Sequence, residues 1–199
     1  MKTTILITGK VLLMMLIASS LLMSCTFNST NNLDAENVTK VVKAPGIDLN
    51  TAAYMGNLAA VQQHIKAGTN LNTKEPLGGS TPLLTACVFG KTEIAKALIN
   101  AGADLDMVNN DGSTPLHVAA FFCHTEIVQS LIANGANINA LNGQGATALQ
   151  SVAGPFSEVK PVYDFLLQQL GSLGLKLDYE QIEATRPVIA QMLQNSSVE

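Results

Sequence analysis

The chain has no tryptophan, three cysteines and three histidines among 199 residues, and charged side chains make up 13% of it. Each scarcity closes a class of function. A zinc-binding helix needs two imidazoles on one face, and His124-Thr-Glu126 has no second histidine there; His64 and His117 lie elsewhere. No metal and no cofactor is therefore expected. Gly90-Lys91-Thr92 resembles the end of a phosphate loop, but such a loop requires a glycine five positions earlier, where Thr85 stands. No G-x-S-x-G elbow or Ser/His/Asp arrangement is present, so no catalytic residue is assigned and the chain is not expected to be an enzyme. The formal charge is −4. Two of the 11 basic residues, Lys2 and Lys10, fall in a segment that reads as a targeting signal; the remainder carries nine basic against 15 acidic residues, a net of −6. That balance argues against nucleic acid and against an electrostatic hold on anionic lipid.

What is there begins with that signal. Behind the two lysines, Val11 to Met23 form an apolar run broken only by Ser19 and Ser20. It is shorter than the ~20 residues needed to span a bilayer and suits a secretory signal. The run closes on Leu22-Met23-Ser24-Cys25, which resembles the bacterial lipobox. The resemblance implies that residues 1–24 are removed and that Cys25 is lipidated, anchoring the chain through several acyl groups. Thr26 in place of aspartate after the cysteine implies the outer membrane, with the protein on its periplasmic face. Residues 25–45 are then the lipidated cysteine and a polar, Asn- and Thr-rich tether. Part of the tether, Asp34 to Lys43, has the valines of a short capping helix. The acceptor-like triplets at Asn28, Asn37 and Asn195 are coincidences of polar composition in such a chain.

An internal repeat sets the architecture. "GSTPLLTACVFGKTEIAKALINAGADLD" begins at Gly79 and "GSTPLHVAAFFCHTEIVQSLIANGANIN" at Gly112, an offset of 33. A third copy begins at Gly145, and a worn one precedes them from Leu49. Carrying T-P-L-H-x-A at this period, the copies resemble the ankyrin repeat, which implies an all-α repeat solenoid with short β-hairpin fingers. Thr81 and Thr114 are expected as N-caps ahead of Pro82 and Pro115. Ala52, Ala86 and Ala119 should line the close contacts between first helices, and Ile94/Leu98 and Ile127/Leu131 should fill the second helices at i, i+4. Gly68, Gly102 and Gly135 should end those second helices in the left-handed conformation. The four repeats span 46–177, the first and last degenerate, with Pro155 and Pro161 interrupting the last and Leu166-Leu167 arriving late. Residues 178–199 should form a cap of two short helices, one after Asp178 and one started by Thr185. In this arrangement Cys87 and Cys123 lie more than about 10 Å apart and cannot be bridged, since a disulfide needs Cα atoms within about 7 Å.

Two adjacent large rings, Phe121 and Phe122, stand at the end of a first helix, and two successive residues cannot both point into the core. The same slots hold Tyr54-Met55 and Val88-Phe89, so stacking aligns them into a stripe. The resemblance implies that these slots and the finger tips, at Leu77, Asn110, Asp111 and Gln144, form a protein-binding surface, with Phe122 the more exposed of the phenylalanine pair. Among lipidated ankyrin proteins of this size, the plan most closely resembles the immunity lipoproteins that neutralise a toxic secreted effector such as a phospholipase, and the resemblance implies that role first. Others are envelope scaffolds or accessory proteins of periplasmic enzymes, for example in peroxide defence. The expected partner is a protein, and the expected state is a monomer.

Overall fold

A computed structural model describes residues 42–197; Cys25 and nearly all of the segment with the capping-helix pattern lie outside the described residues. The chain builds a row of helix pairs. Repeat one is α1 (Leu49–Tyr54) and α2 (Leu58–Lys66), repeat two α3 (Pro82–Val88) and α4 (Thr92–Asn100), and repeat three α5 (Pro115–Phe121) and α6 (Thr125–Ala133). A fourth first helix, α7 (Ala148–Ala153), closes the inner row.

The starts are fixed by side chains that accept orphan backbone amides. Asp48 accepts from the Thr51 amide, Thr81 from Leu84, Thr114 from His117 and Thr147 from Gln150. Pro82 and Pro115 occupy first-turn positions, where no amide is missed. Ala52, Ala86 and Ala119 are fully buried, and their small size lets first helices stack on one another along the row. Val61, Leu98, Ile127 and Leu131, also without exposure, fill the space between second helices. Gly68, Gly102 and Gly135 have φ of 69°, 84° and 85°, the left-handed helix ends that the sequence pattern requires.

The fingers are tight turns, and no strand is formed among the described residues. Each closes on a backbone bond: Glu75 to Ser80, Asn109 to Ser113 and Asn142 to Ala146. The same three side chains turn inward to accept amides of their own turn, as Asn109 Oδ1 does from Asp111 and Ser113. Turns held by side chains leave no length for a hairpin ladder.

The fourth repeat departs from the expected order. Its second-helix place, against α7 and α6, is taken by α9 (Tyr179–Ser196) and not by the helix that follows α7 in sequence, α8 (Phe156–Leu170). Residues 155–178 are thus an insertion, comprising α8, a 3-10 turn at Gly171–Leu173 and an extended return to Asp178. The two short C-terminal helices expected from Thr185 and Pro187 are one continuous helix, capped by Asp178, whose Oδ1 accepts from the Gln181 amide. Pro187 is tolerated inside it because both Pro187 and Glu183, whose carbonyl loses its partner, face solvent. Pro161 sits in α8 on the same terms, with Ser157 exposed.

Arg186 joins the insertion to the array. It is 2% exposed, and its Nη2 donates to the carbonyls of Ser151 (3.3 Å) and Gly154 (3.1 Å), the free end of α7. Its Nη1 donates to the Tyr163 hydroxyl of α8 at 3.3 Å. A cation at a helix C-terminus is favourable in itself, and here it also satisfies carbonyls that nothing else reaches. Arg186→Met keeps the bulk and removes the donors, leaving buried acceptors unpaired at about 1–3 kcal/mol. Thermal unfolding of the variant should show a loss in that range, whereas an unchanged melting temperature would mean that water replaces the guanidinium.

Candidate functional site

The first helices present two edges, the fingers at their N-terminal ends and a row of helix–helix turns at their C-terminal ends. The turn row carries the aromatic slots, and the insertion lies across it. Tyr163 of α8 is fully buried and stacks on Phe121, with ring centroids 4.5 Å apart at 21°. Its hydroxyl donates to the Phe121 carbonyl. Farther along, the Tyr54 hydroxyl donates to the Leu173 carbonyl at 2.8 Å, so the 3-10 turn reaches the first repeat. Tyr54 meets the edge of Phe89 at 5.1 Å. Phe122 meets Phe121 edge-on at 5.3 Å and lies nearly parallel to His124.

These contacts correct the expected stripe. Phe122 is 8% exposed and belongs to the core, and Phe121 is the half-exposed member of the pair. Phe122 caps α5 just before Cys123, whose φ of 59° reverses the chain. Val88, Phe89 and Tyr54 are half-buried, and Val88 and Phe89 pack on the core. Met55, one residue beyond the reach of the 3-10 turn, remains 65% exposed. Cys123 occupies the slot where the earlier repeats place Gly56 and Gly90, at φ of 75° and 60°; the 33-residue register held that signal. Cys87 and Cys123 are both unbridged thiols, and burial raises the pKa of Cys123 to about 11.

At the finger edge Leu77, Asp111 and Gln144 are exposed, and Leu141, not singled out by the sequence, is 61% exposed. Asn110 is exposed as well and also serves as a strut. Its backbone amide donates to the Gly78 carbonyl and its Nδ2 to the Leu77 carbonyl, both at 2.9 Å, holding one finger to the next. The Gly143 amide continues the series to the Asp111 carbonyl. The finger tips are thereby preorganised.

The histidines are structural. His64 Nε2 donates to the Ile47 carbonyl at 2.8 Å while Nδ1 accepts from the Thr69 hydroxyl. His117 Nε2 donates to the Ala146 carbonyl of the next finger, and Nδ1 accepts from the Thr114 hydroxyl. His124 Nε2 is sealed from solvent without a partner. Among the described residues no group of three His, Cys, Asp or Glu gathers as a metal site.

Residues 49–142 match the family model described as ankyrin repeats, in three copies. This stretch is an ankyrin-repeat array. The match ends ahead of Gly154-Pro155, where the fourth repeat departs. The array is similar to protein phosphatase 1 regulatory subunit 27 of Mus musculus, 34% identical over 89 residues, covering 39% of this chain and 57% of that protein. It is also similar to the Homo sapiens protein of that name, 40% identical over 63 residues, covering 32% of this chain and 40% of that protein. The chain spans about half the length of these relatives. As an ankyrin array, it is suited to binding a protein partner.

Two tests follow from the burial. Phe122→Ala should cost the array about 3–5 kcal/mol, the range for a core phenylalanine, read by denaturant unfolding; a change under about 1 kcal/mol would return the ring to the surface. Burial also lowers the pKa of His117 and of His124 below the usual 6.5. The unfolded chain then binds more protons than the folded one, so this stability is complete above pH ~6.5 and is lost as the pH falls below it. The melting temperature should therefore drop between pH 7.5 and 5.5, and the double variant His117→Gln/His124→Gln should flatten that slope.

Proposed function

We propose that this protein is a non-catalytic binding module that docks a protein client on its finger edge, held at the periplasmic face of the outer membrane through lipid on Cys25. The observation that carries the docking reading is the finger series itself. Leu77, Leu141, Asp111 and Gln144 stand exposed on turns locked to one another by backbone bonds and by Asn110. A surface ordered in advance loses little entropy on binding. The lipobox-like stretch before Cys25 supports the membrane placement. The client is a toxic secreted effector, phospholipase-like, that the module neutralises. The relatives are named as regulatory subunits of an enzyme, which accords with a module that binds a protein partner.

The reading is tested in cells that export a phospholipase effector to the periplasm. Co-expression of the full chain should restore growth, and the purified pair should associate. Leu77→Asp with Asp111→Lys should weaken binding at least tenfold, about 1.4 kcal/mol, without moving the melting temperature. Cys25→Ala should release the protein from the membrane fraction. Growth unaffected by the protein, or binding indifferent to the finger variant, would overturn the reading.

A further inference from the structure

The finger row is tied together by two series of bonds that advance with the repeat. In the first, a finger carbonyl accepts an amide of the next finger, Gly78 from Asn110 and Asp111 from Gly143, both at 2.9 Å. In the second, a side-chain oxygen just ahead of a finger accepts an amide of the next loop. Asn72 Oδ1 accepts from Asp104 at 2.9 Å and Asp106 Oδ1 from Asn137 at 3.0 Å. One period of 33 residues further on, the acceptors due are the Gln144 carbonyl and the Asn139 side-chain carbonyl. Among the described residues no fourth finger follows α9, and no donor reaches either of these groups.

Exposure marks the same open end. Val108 is half-buried, with the third finger bonded alongside its own, whereas its counterpart Leu141 is 61% exposed. The opposite end of the row is closed. Leu77 stands where Asn110 stands one repeat later, but its amide donates to Glu75 Oε2 at 2.7 Å, and the Gly78 amide donates to Glu75 Oε1 at 2.6 Å. A second copy of the chain therefore offers no free amide there for the Gln144 carbonyl. The open end is also uncharged. Residues 136–147 include no Asp, Glu, Lys or Arg, while the earlier fingers and their loops carry Lys74, Glu75, Asp104, Asp106 and Asp111. What it offers a partner is two backbone-directed acceptors and one apolar side chain.

We propose that the third finger is an edge on which a turn of a client protein docks in the place of a fourth finger. The client turn is uncharged and presents two free backbone amides six residues apart, as Asp104 and Asn110 or Asn137 and Gly143 are. The first amide donates to the Asn139 side chain, the second to the Gln144 carbonyl, and an apolar side chain between them covers Leu141. Main-chain bonds supply the attachment, as they do when a peptide adds to the open edge of a sheet, and the apolar contact supplies selection. The proposal rests on the reading of the finger edge as a protein-docking surface and names the chemistry that the edge accepts. Its test uses no effector, so its failure leaves the effector reading standing.

The probe is a head-to-tail cyclised peptide with the sequence of residues 136–147, the segment that docks in this way on the second finger. It is titrated into the full chain, isotopically labelled, and followed by nuclear magnetic resonance up to millimolar peptide. Amide signals of Asn139 to Ala146 should shift to saturation while those of Leu77 and Gly78 stay in place. Methylating the two peptide nitrogens that correspond to Asn137 and Gly143 removes the donors and keeps the side chains, and should weaken binding at least tenfold. Leu141→Asp in the protein, at an exposed position that the fold does not use, should weaken binding by a similar factor, and Leu77→Asp should leave it unchanged. No shift at millimolar peptide, shifts centred away from the third finger, or equal binding of the methylated peptide would each overturn the proposal.

Discussion

The turn joining the two helices of each repeat needs one residue in the left-handed region, and the chain meets that need three times before failing. Gly56, Gly90 and Cys123 take it at φ of 75°, 60° and 59°. Behind each, the next amide returns to the first helix, Asn57 to Ala52, Lys91 to Ala86 and His124 to Ala119. Glycine enters this region without penalty, a side chain does so at about 1–2 kcal/mol, and Cys123 tolerates it within a packed turn. In the fourth repeat the slot falls on Phe156, with Pro155 ahead of it. A proline biases the residue before it to an extended backbone, and Gly154 has ψ of 166°. The chain cannot fold back there. It starts α8 at once and travels along the turn row before α9 completes the repeat.

That detour exposes the end of α7 and creates the need Arg186 meets. In the other repeats a backbone amide satisfies the inner helix; here a guanidinium from α9 reaches Ser151 and Gly154 and ties in Tyr163. The same tyrosine covers Phe121, so one cluster ends the inner row, fastens the insertion and closes part of the aromatic stripe. Burial raises the pKa of the Tyr163 phenol to about 12, and the neutral hydroxyl donates to the Phe121 carbonyl. A buried cation beside neutral acceptors is costly to strip of them, so the insertion is pinned at Arg186 and Tyr163. Its far limb, beyond Leu170, has only Tyr54 as a polar tie to the repeats.

Much of this was legible in the chain and part was not. The 33-residue period, the threonine caps and the C-terminal glycines are local signals, and each predicted its element. The break at Pro155 was legible for the same reason, since proline acts on its own neighbours. Where the detour lands is a tertiary matter. Periodicity alone left Phe122 looking like an outer ring, because its burial depends on tertiary packing that the repeat pattern does not encode. The strut bond of Asn110 left no mark in the sequence, since it reaches another finger 33 residues away. Arg186 carries no signal in the sequence, and a buried arginine without a carboxylate is rare enough that none would be expected.

The two edges of the array are treated differently by the chain. A first helix of seven residues is about 10 Å long, so the finger tips and the turn row border the same slab. The insertion crosses the turn row from Tyr163 on Phe121 to the Leu173 carbonyl on Tyr54, and it closes part of the aromatic stripe there. The fingers carry no such cover, and they are locked to one another by the Asn110 and Gly143 amides and by the Asn110 side chain. The edge left open is therefore the one already ordered, where association loses the least entropy.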